Sequence, residues 1–232
     1  MQLSRRLKAV ADSVTKGNRV ADVGCDHAYI SIYLIENDIA PYVIAMDVNK
    51  GPLSRAKENI KRKNYEDRIE TRLSNGLEKM VPNEADTILL AGMGGVLMIK
   101  ILEEGNEVVN SAKELVLQPQ SEIPLVRKYI HSIGYQIKEE QILMDEGKYY
   151  IVIKAMKSDK IETYDKEVFY QYGKLLLEEG SPLLLEYLHN EKRMRSEVIK
   201  TLKENASPKS LERLKEILLE VTYIEEAISY CS

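Results

Sequence analysis

The sequence predicts a doubly wound α/β domain with a parallel sheet, finished by an antiparallel hairpin and followed by a helical segment. Three observations carry this. Short apolar segments alternate with helical ones from residue 19 to about residue 133. Two longer strand-like runs then meet at Asp145-Glu146-Gly147, a hairpin signal. From about residue 162 the apolar residues recur at helical spacing instead.

Taken in order, Leu3, Leu7, Val10 and Val14 mark a first helix with Ser4 placed to cap it. Arg19–Gly24 reads as a strand, Tyr29–Asn37 as a helix and Tyr42–Val48 as a second strand. Pro52 suits the first turn of a helix reaching about Lys63. Ile69–Leu73 is a weaker strand, while Thr87–Ala91 and Glu114–Leu117 are strong ones, and helices fill Val96–Glu103 and Ile123–Ile133. Tyr135–Leu143 and Lys148–Met156 form the hairpin. Beyond a boundary at about 158–162, which divides the chain into 1–160 and 161–232, Leu184, Tyr187, Arg195, Val198 and Leu202 form an irregular stripe. Leu214, Ile217, Val221, Ile224 and Ile228 keep the alternating spacing of a coiled-coil seam, and Ser207 with Pro208 can open that last helix.

Composition narrows the function classes. No apolar run approaches the ~20 residues of a membrane span, and Met1–Val20 is charged throughout, unlike a signal peptide, so a cytoplasmic protein is expected. Cys25 and Cys231 are far apart and lack partners at metal-binding spacing, so no metal is expected. The net charge of −4 hides a split: residues 1–19 hold five basic side chains against Asp12, and residues 50–63 hold six against Glu58. From residue 162 onward there are ten basic and fourteen acidic residues. Solvated helix faces and polyanion-binding surfaces are both compatible with that split.

The chemistry begins at the first βα turn, Asp22-Val23-Gly24-Cys25-Asp26-His27-Ala28-Tyr29. An apolar strand ending Asp-x-Gly is a cofactor-binding turn of α/β proteins, and Gly24 permits the tight reversal. The dinucleotide pattern G-x-G-x-x-G is missing. A pyrophosphate would face the Asp26 carboxylate, which repels it, whereas a sulfonium cofactor bearing an ammonium group would be attracted. The competing reading is that Asp26 only caps the next helix. Asp47 ends the second strand 23 residues after Gly24, the place of an acid that accepts hydrogen bonds from ribose hydroxyls. Asn75-Gly76 follows the third strand, and Gly92-Met93-Gly94-Gly95 follows the fourth, where main chain can approach a ligand without Cβ atoms in the way. Gln118-Pro119-Gln120 closes the fifth strand, as a base-edge reader or as a rigid loop.

On Leu3-Ser4-x-Arg6-Leu7, Ala21-Asp22-Val23-Gly24-x-Asp26-His27-Ala28-Tyr29, Gly51-Pro52, Asn75-Gly76-Leu77, Gly92-Met93-Gly94-Gly95, Leu117-Gln118-Pro119 and Glu146-Gly147-Lys148-x-Tyr150, the chain resembles the bacterial tRNA (adenine-22-N1)-methyltransferase family over nearly its whole length. The resemblance implies a Rossmann-like class I methyltransferase sheet, a C-terminal helical coiled coil, S-adenosylmethionine as cofactor and tRNA as substrate. It departs from the family's pattern at Cys25, often another small residue, and at Asn75, where an Asp is common.

The site expected on these grounds places Asp22, Gly24, Cys25, Asp26, Asp47, Val48, Asn75, Gly76, Gly92, Met93 and Gly94 around the cofactor. Arg5, Arg6, His27, Tyr29, Gly95, Gln118 and Pro119 are placed on the substrate, with Asp26 as the residue acting in the chemical step. Tyr29 could stack on a base or pack in the core, and His27 could touch substrate or be structural. Amino-methylating adenine enzymes carry an Asp/Asn-Pro-Pro-aromatic motif after the fourth strand; Ala91-Gly92-Met93-Gly94 is not one, which disfavours an exocyclic amine as acceptor. Lys192, Arg193 and Arg195 form a basic patch expected to orient tRNA. Methylation of another nucleoside or a small metabolite, or a non-catalytic interaction role, stays open, as do monomer and dimer.

Overall fold

Seven strands form one sheet in the computed structural model, which describes residues 3–204 and 208–231. The strands are β1 (Val20–Val23), β2 (Val43–Asp47), β3 (Ile69–Leu73), β4 (Thr87–Met93), β5 (Glu114–Pro119), β6 (Tyr135–Asp145) and β7 (Lys148–Lys157). Their spatial order is β3-β2-β1-β4-β5-β7-β6, and only β7 runs against its neighbours. The order reverses at β1 and β4, so their carboxyl ends flank the crevice in which open α/β sheets bind ligands. This is the expected mixed sheet ended by a hairpin. Glu146 and Gly147, both at positive φ (48° and 75°), make the tight hairpin turn, with Asp145 as the last residue of β6.

The central strands are largely apolar because helices cover both faces. Ile88, Leu89, Leu90, Leu115, Val116 and Leu117 are fully buried, each contributing on the order of 1.5–3 kcal/mol from side-chain burial. The covering helices are α1 (Arg5–Asp12), α2 (Tyr29–Glu36), α3 (Lys50–Arg62), α4 (Gly95–Glu104), α5 (Asn106–Ser111) and α6 (Ile123–Ser132). Ser4 caps α1 as expected, its hydroxyl accepting the Leu7 N–H. The sequence reading missed α5, whose six residues are too few for a periodic signal.

Three charged residues inside this core are neutralised in place. Glu114, fully buried at the start of β5, accepts hydrogen bonds from Thr15 and Thr87 and lies 3.6 Å from Lys154 Nζ. Arg127 of α6 donates to Glu140 of β6 at 2.7 Å with both side chains fully buried.

The chain divides into two compact units, Met1–Thr163 and Tyr164–Ser232. The second contains α7 (Glu167–Tyr172), α8 (Lys174–Glu179) and two 23-residue helices, α9 (Pro182–Glu204) and α10 (Pro208–Tyr230). The α9 and α10 helices run antiparallel, joined by Arg195–Glu220 and Lys192–Glu225 ion pairs. Ile217, Ile224 and Ala227 are buried, while Leu214, Val221 and Ile228 are partly covered. Pro208 takes the first helical position, and Ser207 lies outside the described residues.

Candidate active site

The site is built on the turn after β1. Gly24 sits at φ 76°, a backbone conformation that favours glycine, and a Cβ there would lie 2.3 Å from the Met93 methyl, which would have to move aside. The N–H groups of Gly24 and Cys25 both donate to the Met46 carbonyl at 2.8 Å, tying this turn to β2. Asp26 (φ 49°) and Ala28 (φ 58°) also adopt left-handed backbone, costing roughly 1–2 kcal/mol each for a residue with a Cβ. Strain of this kind concentrates at functional turns. Ala28, not Asp26, occupies the cap position of α2, and no side chain caps that helix. Capping therefore does not explain Asp26, whose side chain is 68% exposed.

Three carboxylates converge here. Asp47, 8% exposed at the end of β2, accepts the N–H of Asn49 at 2.7 Å and that of Asp26 at 3.3 Å. Asp22, 2% exposed, accepts the Ser31 hydroxyl at 2.5 Å. Burial pushes the Asp22 carboxyl up to about 6, against the opposing effect of the Ser31 hydrogen bonds. Burial, then the charges of Asp22, Asp47 and Asp26, push the Cys25 thiol up, which keeps it protonated rather than nucleophilic.

Beside them lies a cleft of about 250 Å³, lined by Arg6, Asp22, Gly24, Asp26, Tyr29 and Gln120 among others. Tyr29 stacks on His27 with ring centroids 5.2 Å apart and planes 14° from parallel, and His27 Nε2 lies 3.5 Å from Asp26 Oδ1. The guanidinium of Arg6 donates to Gln118 Oε1 at 2.7 Å and lies 5.5 Å from the Tyr150 ring centroid. Gly92 (φ 77°) faces it: a Cβ there would stand 3.4 Å from Arg6 and 3.8 Å from the Gln120 amide. On the β2–β3 side the exposed apolar residues Val48 and Leu73 flank the strand ends.

Several expected residues sit otherwise than anticipated. Gln118 is wholly buried, its oxygen accepting from Arg6 and its amide donating to the Pro119 carbonyl; Pro119 is buried as well. Gln120, exposed on the cleft, is the residue of that segment which can reach a ligand. Gly95 is buried, its N–H donating to the Ser121 carbonyl, and a Cβ would lie 2.5 Å from that oxygen, so the start of α4 packs closely on the Ser121 main chain. Gly94 precedes α4, with the Ser121 hydroxyl close by. Asn75 is exposed and donates to Glu78 at 2.7 Å, and Gly76 packs on Ile101. Arg5 is exposed, outside the cleft lining, whereas Arg6 is inside it. Reasoning from sequence missed Leu7, Ile30 and Ala91 as cleft residues, because apolar positions on α1, α2 and β4 read as core until packing places them at the cleft wall. Among the described residues no group of three or more His, Cys, Asp or Glu side chains could hold a metal ion, and no helix is long and apolar enough to cross a membrane.

A seven-stranded sheet in this order, with an acid-lined turn after β1 and a buried acid ending β2, defines a class I methyltransferase domain. A family model described as "Methyltransferase domain" matches residues 3–153. The chain is 36% identical over 165 residues to the tRNA (adenine(22)-N(1))-methyltransferase of Bacillus subtilis, covering 71% of this chain and 69% of that protein. It also superposes on the crystal structure of the B. subtilis M1A22 tRNA methyltransferase TrmK with a TM-score of 0.88 at 29% identity, over 98% of this chain and 99% of that one. M. capricolum TrmK in complex with the natural cofactor product S-adenosyl-homocysteine matches with a TM-score of 0.87 at 28% identity, over 100% of both chains. The chain belongs to the tRNA (adenine(22)-N(1))-methyltransferase family.

Proposed function

We propose that the protein transfers the methyl group of S-adenosylmethionine to N1 of adenine 22 in tRNA. The observation that carries this is the cleft at the carboxyl ends of β1 and β4, walled by carboxylates and the Tyr29 ring, in a chain of this family. The residues fit the cofactor: Asp47 is fixed by two backbone N–H groups with lone pairs left for ribose hydroxyls, and Asp22 and Asp26 offer negative charge to an ammonium group. S-adenosylmethionine, when bound, supplies an electrophilic methyl group on a sulfonium.

The remaining work falls to positioning. Adenine N1 carries its own lone pair, so no strong base is needed, and alignment in a water-poor cleft supplies most of the acceleration. N1 lies on the Watson–Crick edge, so the base must leave its stack to enter. Tyr29, held by its stack on His27, is a platform for such a base. Asp26, the most open of the three acids, accepts a hydrogen bond from the adenine amino group and stabilises the positive charge that develops on the ring. Cys25, Val48, Asn75, Gly76, Gly92, Met93 and Gly94 border the cofactor in this reading.

The tRNA backbone meets the basic face of α3, where Lys50, Arg55, Lys57 and Lys61 are all exposed. On α1, by contrast, Lys8 is paired with Asp12 and Arg6 is turned into the cleft. In the C-terminal unit Lys192 and Arg195 are paired with acids of α10, so Arg193 remains the more available cation of that patch. Incubating the protein with labelled S-adenosylmethionine and total tRNA tests the reading: label in the RNA supports it, and binding without transfer contradicts it.

A further inference from the structure

One polar side chain of the cleft has no task in binding the cofactor or in the chemical step. Gln120 lines the cleft one residue beyond β5, exposed, and among the described residues its carboxamide has no hydrogen-bond partner. Its main chain, by contrast, is anchored. The Gln120 N–H donates to the Met93 carbonyl at 2.8 Å, and the carbonyl of the next residue, Ser121, accepts the Gly95 N–H at 3.1 Å. An unpaired amide on a fixed backbone has less freedom to lose when it binds a ligand. That amide lies beside the bare main chain of Gly92, where a Cβ would stand 3.8 Å from Gln120 Nε2 and 3.4 Å from Arg6 Nη1.

The acceptor base has one edge that suits such an amide. For methyl transfer adenine N1 must point at the sulfonium carbon, which takes its Watson–Crick edge out of recognition. The amino group carries two hydrogens, and the one beside N1 goes to Asp26 in the proposed reading. The other lies beside N7, so the opposite edge presents a donor next to an acceptor. A glutamine carboxamide matches that pair, its oxygen accepting from the amino group and its nitrogen donating to N7. Guanine presents two acceptors on this edge, and the amide oxygen would face a lone pair. We propose that Gln120 is a specificity-determining residue that reads the amino group and N7 of the acceptor adenine. This deepens the proposed function and rests on it. Arg6 is the rival reader at the same wall, because a guanidinium can donate to N7 but cannot accept from the amino group.

The test uses tRNA carrying 7-deazaadenosine at the methylated position, which replaces N7 by a C–H group and keeps N1 and the amino group. This change also makes N1 more basic, so the comparison is between proteins rather than between RNAs. With cofactor saturating, Gln120→Ala should lower kcat/KM on the natural tRNA by roughly 5- to 100-fold, the worth of a bidentate amide–adenine pair, with cofactor affinity by calorimetry unchanged. The preference for adenosine over 7-deazaadenosine should be smaller in this variant than in the wild type by roughly 5-fold or more. A variant with wild-type kcat/KM overturns the proposal. So does one that keeps the wild-type preference, because N7 is then read by another group or by none. Loss of the preference in Arg6→Ala but not in Gln120→Ala overturns it as well and assigns N7 to the guanidinium. Each of these results leaves the methyltransferase reading standing. A wild-type protein that binds S-adenosylmethionine yet methylates neither RNA overturns both.

Discussion

The Asp47 carboxylate accepts the backbone N–H of Asp26 at 3.3 Å, so one buried acid at the end of β2 holds the strained turn after β1. In the proposed reading the same oxygens accept from ribose hydroxyls. Asp47→Ala should therefore weaken S-adenosylmethionine binding by roughly 1–3 kcal/mol, by leaving hydroxyls poorly paired and by loosening the turn. Calorimetry showing unchanged affinity would contradict this placement.

Asp26→Asn should weaken cofactor binding, since one of the two carboxylates offered to the ammonium group loses its charge. With cofactor saturating it should still lower the single-turnover methylation rate by roughly tenfold or more, the worth of about 1.4 kcal/mol of transition-state stabilisation. The amide retains size and backbone geometry but not the charge that meets the developing cation. A variant that methylates at the wild-type rate with saturating cofactor removes Asp26 from the chemical step.

Asp22 makes cofactor binding depend on pH. With its carboxyl raised to about 6 in the folded protein, it contributes stability at low pH that is lost as pH rises through about 6. An ammonium group beside it favours the ionised form, so binding releases a proton below that range and tightens as pH rises. Cofactor affinity should increase several-fold between about pH 5 and about pH 7.5, and Asp22→Asn should flatten the profile. A wild-type profile that is already flat would refute the coupling.

The Arg127–Glu140 pair should matter for stability and not for chemistry. Both side chains are fully buried, so Glu140→Leu removes the carboxylate that neutralises a buried guanidinium and should cost roughly 3–5 kcal/mol. Chemical denaturation measures this directly; a loss below about 1 kcal/mol would mean the charge finds another partner.

Most of the fold was legible because parallel strands buried on both faces leave largely apolar runs, and those runs alternate with amphipathic helices at β1, β2, β4 and β5. The first-turn motif and Asp47 were legible for a related reason: strand ends and turn residues are local in sequence. Contacts between distant segments were not. Nothing in Asp145, read as a turn residue, signals that its carboxylate reaches Arg6, 139 positions away. Gln118 and Gln120 look equivalent in the sequence, yet Gln118 lies within β5, buried against Arg6, while Gln120 lies just past the strand end and is exposed. The charge count on α1 likewise concealed that Arg6 and Lys8 are locally engaged.

Neutralising Lys50, Arg55 and Lys57 together should lower tRNA affinity and reduce its salt dependence by up to about three phosphate contacts, with cofactor binding unchanged. A chain ending at Thr163 should bind cofactor and methylate tRNA poorly. Equal salt slopes in the triple variant would return the α3 charges to the role of a solvated helix face; full activity in the shortened chain would do the same for α9 and α10.

Primer extension across tRNA treated with the protein and S-adenosylmethionine tests the central claim most directly, because a methyl group on N1 blocks the Watson–Crick edge and halts the copying enzyme. The account predicts a new stop immediately before adenine 22 that disappears when that base is replaced by guanine. Methyl incorporation with no stop, or a stop at another position that survives the replacement, would contradict it.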